Sequence, residues 1–393
     1  MNSIYRAFPA LISLSLLLGA CQTKKPVEKK PESLEINFAA SLEKEEEKPK
    51  LTGINWDYEN PQFLVAGAYP RLIGYKTNVL CFYENNGIIN MLKGDRDAKE
   101  WGEPTEVASY KDGAAITPGA LVLKNGDIIC FYVESPLEDF KDYFRIMMTK
   151  SKDEGKSWSE PVKLFQAGNN FKAGCWEPSA CQVKNGNIYL FFSNELPYGD
   201  TNQQEVTMLT SKDNGDKWSA PVKLFFKPTR RIGAPGVMTL DDDKGMLLVV
   251  DNGPEENTLE KQKPVMLFST VEDQWERPLT KEAETFWDPF IRPLENETYA
   301  ASPSISRLST GETLMSLSYK DSERKEPGIA VFLGDKNGKF FTNKSEAFQL
   351  PSDVKAHWSS IFVLGGDRIV VAATTKIKDK EGIWLSFGEV EIK

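Results

Sequence analysis

The sequence predicts an all-β chain folded as a six-bladed β-propeller of four-stranded blades. Three observations carry that expectation. The chain repeats itself: KNG at 124–126 recurs at 184–186, SKDEGKSW from Ser151 recurs as SKDNGDKW from Ser211, and PVKLF at 161–165 recurs at 221–225, each at an offset of 60 residues. Runs such as DIICFYV and NIYLFF are short, aromatic and β-branched, and Gly or Asn turns bound them, so the repeating unit is several short strands. The 28 Gly and 23 Pro among 393 residues, with 40% apolar and 11% aromatic content, suit a large folded body rich in turns.

The blades follow in order. Weaker copies of the tryptophan-ended segment, GDRDAKEW, STVEDQW and LGDKNGKF, extend the series to Trp101, Trp158, Trp218, Trp275 and Phe340, at intervals of 57, 60, 57 and 65 residues. Innermost strands are expected at Pro70, Pro118, Pro178, Pro235 and Pro303, with a prolineless sixth copy around Trp358. Six blades of about 57 residues fill the domain 51–393.

Ahead of that domain, residues 1–21 carry Arg6, an apolar run from Leu11 to Leu18, and Gly19-Ala20-Cys21, the layout of a signal peptide. The LGAC ending resembles the lipobox of bacterial lipoproteins, which implies cleavage before Cys21 and lipidation of its thiol. Residues 22–50, with KKPVEKKPE and EKEEEKPK, read as a solvated tether that cannot bury enough apolar area to offset its ordering entropy. Gln22 after the cysteine resembles the sorting pattern for the outer membrane, so the expected location is the cell envelope, held only through the lipid. Of the other cysteines, Cys175 and Cys181 would lie roughly 20 Å apart on one extended strand, and Cys81 and Cys130 fall at matching core positions, so no disulfide is expected.

Composition narrows the chemistry. With 48 Lys and Arg against 57 Asp and Glu the net charge is −9, which makes nucleic acid a poor partner. The single histidine, His357, leaves no multi-histidine metal site and ties any Ser-His-Asp arrangement to itself. There is no GxxxxGK[ST] loop and no GxGxxG opening a helix. Carboxylates, tyrosines and arginines are left to carry any reaction, with no cofactor or metal expected.

Ser151 to Trp158 and Ser211 to Trp218 match the Asp-box, S-x-D-x-G-x-[ST]-W, and so resemble the sialidase superfamily, with Lys217 where the second box would have a hydroxyl. The box closes a hairpin: the aspartate caps local N–H groups, the glycine takes a positive φ and the tryptophan packs beneath. Asp153 and Asp213 are therefore structural, and the resemblance puts these turns away from the active centre.

Aligned blade starts give a ring of residues just before each proline, expected at one mouth of the axial channel: Tyr69, Thr117, Glu177, Ala234, Ser302 and His357. Glu177, in CWEPSACQV, is its only carboxylate and follows Trp176, a possible sugar platform. Second strands returning to that mouth bring Glu84, Glu134, Glu195, Asp251 and, with Tyr319, Asp321. Glu177 and Asp251 form the pair that glycoside hydrolysis requires, one protonated and one ionised. Asp251-Asn252-Gly253 is equally turn chemistry. Arg71 is either a substrate contact or a salt-bridge partner for one of the acids. Trp287 and Asp288, before the fifth blade, are expected as a pocket wall or a packed loop aromatic, His357 and Trp358 close the ring, and Arg230 and Arg231, just before the fourth blade, either reach the mouth or decorate a loop.

YPRL, WEPSACQV with FFSNE, and GAPGVMTL with LLVVDN resemble the exo-arabinanase branch of Asp-box propellers and related BNR-repeat lipoproteins. That resemblance implies an exo-acting glycoside hydrolase with Glu177 and Asp251 as its catalytic pair, Asp251 standing where the family has a glutamate. Carboxyls roughly 5–5.5 Å apart would mean retention and roughly 6.5–9.5 Å inversion. Arg71, Arg231 and Arg292 offer a looser match to the arginine triad of exo-α-sialidases. A glycan-binding lipoprotein without turnover is the reading from outside the enzymes. The expected partner is an oligo- or polysaccharide, and the protein a monomer.

Overall fold

A computed structural model describes residues 51–139, 141–240, 245–256, 261–276 and 286–392. The expected signal peptide, Cys21 and tether lie outside them. Five antiparallel sheets of four consecutive strands, and a sixth that joins the two ends of the domain, follow one another around an axis, giving the six-bladed propeller. The inner strands are Ala68–Tyr75, Gly113–Val122, Cys175–Gln182, Arg230–Thr239, Tyr299–Arg307 and Ala356–Gly365. Second strands run almost wholly buried, as in Ile188–Asn194, because apolar residues on both faces pack against the blades on either side.

Blade six closes the ring with both ends of the domain. Its three strands Ala356–Gly365, Arg368–Ile377 and Lys380–Ile392 receive Leu51–Trp56 as the outermost strand, with Leu51 opposite Ile392 and Trp56 opposite Gly388. Gln62–Val65 pairs the same last strand further up before the chain enters blade one.

The Asp-boxes are the hairpins between third and fourth strands. Asp153 accepts from Ser157 N–H at 2.9 Å and from the Ser151 hydroxyl at 2.9 Å, and Asp213 accepts from Lys217 N–H at 2.8 Å. Gly155, at φ +83°, sits where a Cβ would come within 2.4 Å of Met91 in blade one, so the turn is pressed into the neighbouring blade. Each box tryptophan meets a phenylalanine of the preceding blade edge-on: Trp158 with Phe82 at 5.9 Å, Trp218 with Phe131 at 5.8 Å, Trp275 with Phe191 at 5.6 Å. In blade five Phe340 is exposed and Phe341 takes the buried place.

The Ser157 hydroxyl, which donates to the other Asp153 oxygen at 2.5 Å, is the largest of the bonds that hold the Asp153 carboxyl down to about 2, with Ser157 N–H and the Ser151 hydroxyl adding to it. A depressed acid stabilises the fold above its unfolded value near 4 and ceases to do so as pH falls through 2. We expect Asp153→Ala to lower Tm by a few degrees at pH 7, with the difference vanishing below about pH 2, read by thermal melts across pH. Cys81, Cys130, Cys175 and Cys181 are buried free thiols.

Candidate active site

Every inner strand carries the same irregularity near its start, where two residues oppose one on the second strand. The first of the two is left-handed: Tyr69, Thr117, Glu177, Ala234, Ser302 and Trp358, with φ between 47° and 60°. Non-glycine residues adopt this conformation at a cost of about 1–2 kcal/mol each, so the surrounding structure must impose it. The sixth member is Trp358. The sequence expectation of His357 was one residue out of step, because without a proline nothing marks the bulge, which falls between His357 and Ser360.

What imposes the conformation is a set of bonds from each blade to the next. The ring N–H of Tyr69 is capped by Thr374, of Thr117 by Glu84, of Ala234 by Ser193, of Ser302 by Asp251 and of Trp358 by Ser318. Each capping residue ends the matching stretch of a second strand, opposite the residue just before the bulge. Val133 holds the corresponding place before Glu177.

Above this ring opens a cavity of about 390 Å³, on the face opposite the Asp-boxes. Nine residues singled out from sequence meet there: Trp176, Glu177, Glu195, Arg231, Asp251, His357 and Trp358, with the ring residues Ala234 and Ser302. Glu177 accepts from the Ser193 hydroxyl at 3.0 Å and from Ala234 N–H at 2.9 Å. Both oxygens of Asp251 lie 3.0 Å from Ser302 N–H. The two acids thus cap the ring residues of adjacent blades, four and five. Buried Glu195 accepts from the Trp176 indole at 2.9 Å and from Arg231 at 2.5 Å, which locks the tryptophan's orientation and neutralises the arginine.

Burial pushes the Glu177 carboxyl up, while Ser193, Ala234 N–H and the cations Arg71 and Arg231 pull it back. Asp251 is pushed well above the usual carboxylate range, by burial first and by the charge of Glu177 as well, against one opposing N–H. Asp251 therefore keeps its proton to higher pH than Glu177, which is the asymmetry an acid/base pair needs. Burial, with Lys355 adding to it, lowers His357 to about 4, leaving it neutral at physiological pH.

Four expected pocket residues lie elsewhere. Arg71, just past its proline, enters the axial channel below the ring, where its guanidinium stacks 4.0 Å over Tyr69 and donates to the Pro70 carbonyl. Trp287 belongs to the short outermost strand of blade four, Phe286–Trp287, and packs in the core between blades four and five with its indole bonded to the Lys339 carbonyl. Asp288 is exposed and caps Phe290 N–H. Tyr319 is buried against Phe332, with Lys344 Nζ 4.5 Å from its ring. Glu134 pairs with Arg145, and Asp321 with Lys344.

The pocket also uses residues that the sequence reading passed over. Gln204 and Gln262 stand just before the third strands Glu205–Ser211 and Lys263–Ser269, and reach the pocket from equivalent places. Their signal was present in the repeat, QEVTMLTS against QKPVMLFS. A Cβ on Gly233 would come within 2.4 Å of Gln204 Oε1, so this glycine is what admits the amide. Tyr299, Phe171 and Lys355 also line the pocket.

Comparison with known proteins places these features. Residues 126–277 match the family model of the BNR repeat-like domain. By structure the chain is similar to an α-L-arabinofuranosidase of Fusarium graminearum in complex with arabinobiose, at 16% identity and a TM-score of 0.64 over 86% of this chain and 98% of that one. It is similar to an α-L-arabinanase of Penicillium chrysogenum complexed with arabinobiose, at 16% and 0.64 over 87% and 98%. The NanB sialidase of Streptococcus pneumoniae matches at 14% and 0.55 over 84% and 70%. No curated protein matches by sequence. At these identities the likeness is one of fold: the chain is a sialidase-like propeller carrying a BNR repeat-like domain.

Proposed function

We propose that this protein is an exo-acting glycoside hydrolase whose reaction takes place in the axial pocket. The observation that carries the reading is the pair of carboxyls, Glu177 and Asp251, held in one cavity with proton affinities pushed apart. Asp251 is the acid that protonates the glycosidic oxygen as its bond to the anomeric carbon breaks. Glu177, ionised, supports the oxocarbenium-like centre from the other side, by direct attack or by directing a water. Trp176 and Trp358 line the cavity and offer aromatic faces to a sugar ring. Two structural neighbours were captured with arabinobiose, which favours a glycan ligand here.

The sialidase alternative has less behind it. Of the three arginines that the template would need, Arg71 is in the channel, Arg231 is held by Glu195, and Arg292 is exposed outside the pocket. The test is product release from a panel of arabino-oligosaccharides, sialosides and other plant and host glycans, beside Glu177→Gln. Release that the substitution lowers by about a hundredfold or more supports the assignment. Release that survives it refutes the site. Saturable binding with no release from any glycan makes the protein a glycan-binding lipoprotein.

We further propose that the protein is a lipoprotein anchored through Cys21, sorted to the outer membrane. Leu51 lies at the Asp-box end of its strand, since its partner Ile392 is the far end of a strand that begins near the mouth. The described chain therefore begins on the side away from the pocket. Metabolic labelling with an alkynyl fatty acid should mark the wild type and the membrane fraction, and Cys21→Ala should lose both the label and the membrane association. A labelled Cys21→Ala variant would overturn the anchor.

A further inference from the structure

The wall that blade six gives the pocket plays no part in the proton chemistry above. It presents Lys355, His357 and Trp358. Lys355 is exposed and has no ion-pair partner among the described residues, whereas the other cation of the pocket, Arg231, is neutralised by Glu195. His357 rests edge-on against Trp358 at 4.0 Å between ring centres, with Nδ1 buried and without a hydrogen-bond partner, so that a ligand in the cavity meets the ring from the side of Nε2. Trp358 in turn packs on Tyr69 at 5.6 Å, so the wall is backed by rigid aromatic structure.

The groups facing this wall leave its charge unanswered. Glu326 and Asp353, on the two loops that flank it, are exposed and do not line the pocket. Across the cavity stand Tyr299, a phenol whose burial favours its neutral form, then Asp251, whose burial favours the protonated acid, and Glu177, whose charge is engaged by Ser193, Ala234 N–H and the cations Arg71 and Arg231. An uncompensated ammonium beside a neutral imidazole in a partly closed cavity favours an anion. The anion would face the lysine, and its field would draw a proton onto the histidine, adding a charged donor.

We propose that this wall binds an anionic substituent of the glycan, a carboxylate or a sulfate, with Lys355 as its counter-charge and His357 as its hydrogen-bond donor. The proposal deepens the pocket reading and rests on it: the substrate class becomes a uronate-bearing or sulfated glycan. Because an anion stabilises the protonated imidazole, affinity falls as pH rises through the midpoint of the bound state.

The chain has one histidine, so a single imidazole signal reports on this wall. We would follow it by ¹H–¹⁵N NMR in the full chain through pH titrations with D-glucuronate, inorganic sulfate and D-glucose as separate probes. A saturating anion should raise the His357 midpoint from about 4 to above roughly 5, glucose should leave it in place, Lys355→Met should weaken anion binding about tenfold, and Lys355→Arg should restore it. A response to glucuronate alone, or to sulfate alone, supports the proposal and selects the substituent. No midpoint change with either anion, an equal change with glucose, or unaltered binding by Lys355→Met would overturn it. The readout is binding, so hydrolysis of neutral glycans without an anion response sinks this proposal and spares the glycosidase, and the converse result does the reverse.

Discussion

Asp251→Ser will lower kcat by about a hundredfold to ten-thousandfold, the range expected for loss of a general acid, and will leave the propeller folded. The choice of serine comes from the ring itself. Ser193 and Ser318 cap the ring N–H groups of Ala234 and Trp358 from the position that Asp251 holds in blade four, so serine there can keep the bond to Ser302 N–H and remove only the acid. Glu84 makes the same kind of bond to Thr117 N–H without lining the pocket, which means that a carboxyl at this position is not by itself catalytic. What sets Asp251 apart is its exposure to the cavity shared with Glu177.

Stability supplies an independent reading of the same substitution. Asp251 has a raised proton affinity in the fold, so the native state holds its proton between the unfolded value near 4 and the higher folded value. Its contribution is full below the unfolded value and is lost as pH rises through the folded one. Asp251→Ser should therefore gain on the wild type in urea melts as pH goes from 4 to 8. A variant that loses activity and also loses stability at pH 8 would show that Asp251 serves the fold alone. The alkaline limb of the wild-type rate profile should likewise fall above the usual carboxylate range, where Asp251 gives up its proton.

The repeat made the blades, the Asp-boxes and five ring positions readable from the chain, because local turn chemistry and a proline fix each of them without help from distant residues. The sixth ring member was misplaced by one residue, since Trp358-Ser359 has no proline and its bulge is set by pairing across to Ala372 and Thr374. Trp287 took the second of its two expected places, a packed aromatic, but on a strand instead of a loop. The segment before blade five breaks the spacing, and only the pairing of Phe286–Trp287 with Met266 and Leu267 shows it to be a strand edge facing the core. Arg71 turned on direction: adjacent to the ring in sequence, its side chain enters the channel below. The pairing of Leu51–Trp56 with the last strand left no local mark at all, because its partner lies more than 330 residues away.

That closing strand carries the largest stability effect we expect. A chain beginning at residue 51 should melt with the full-length protein, and a chain beginning at residue 57 should lose about 10 °C or more in Tm or fail to fold. Removing Leu51–Trp56 strips the outer edge from Lys380–Ile392 and leaves its backbone groups open to pairing with other chains. It also removes Trp56, buried to 9% exposure, whose indole donates to Ser345 in blade five at 3.0 Å and so ties blade six to its neighbour. Gly388 is shaped to this tryptophan, since a Cβ there would lie 2.9 Å from its ring. Loss of a buried tryptophan alone costs about 3–5 kcal/mol. At about 2–4 °C per kcal/mol this alone is a shift of about 6–20 °C, to which the lost strand hydrogen bonds add. The single substitution Trp56→Ala should reproduce most of it. If the chain beginning at residue 57 instead melts with the full-length protein, the ring holds through Gln62–Val65 and the remaining blade contacts, and the outermost strand of blade six is dispensable.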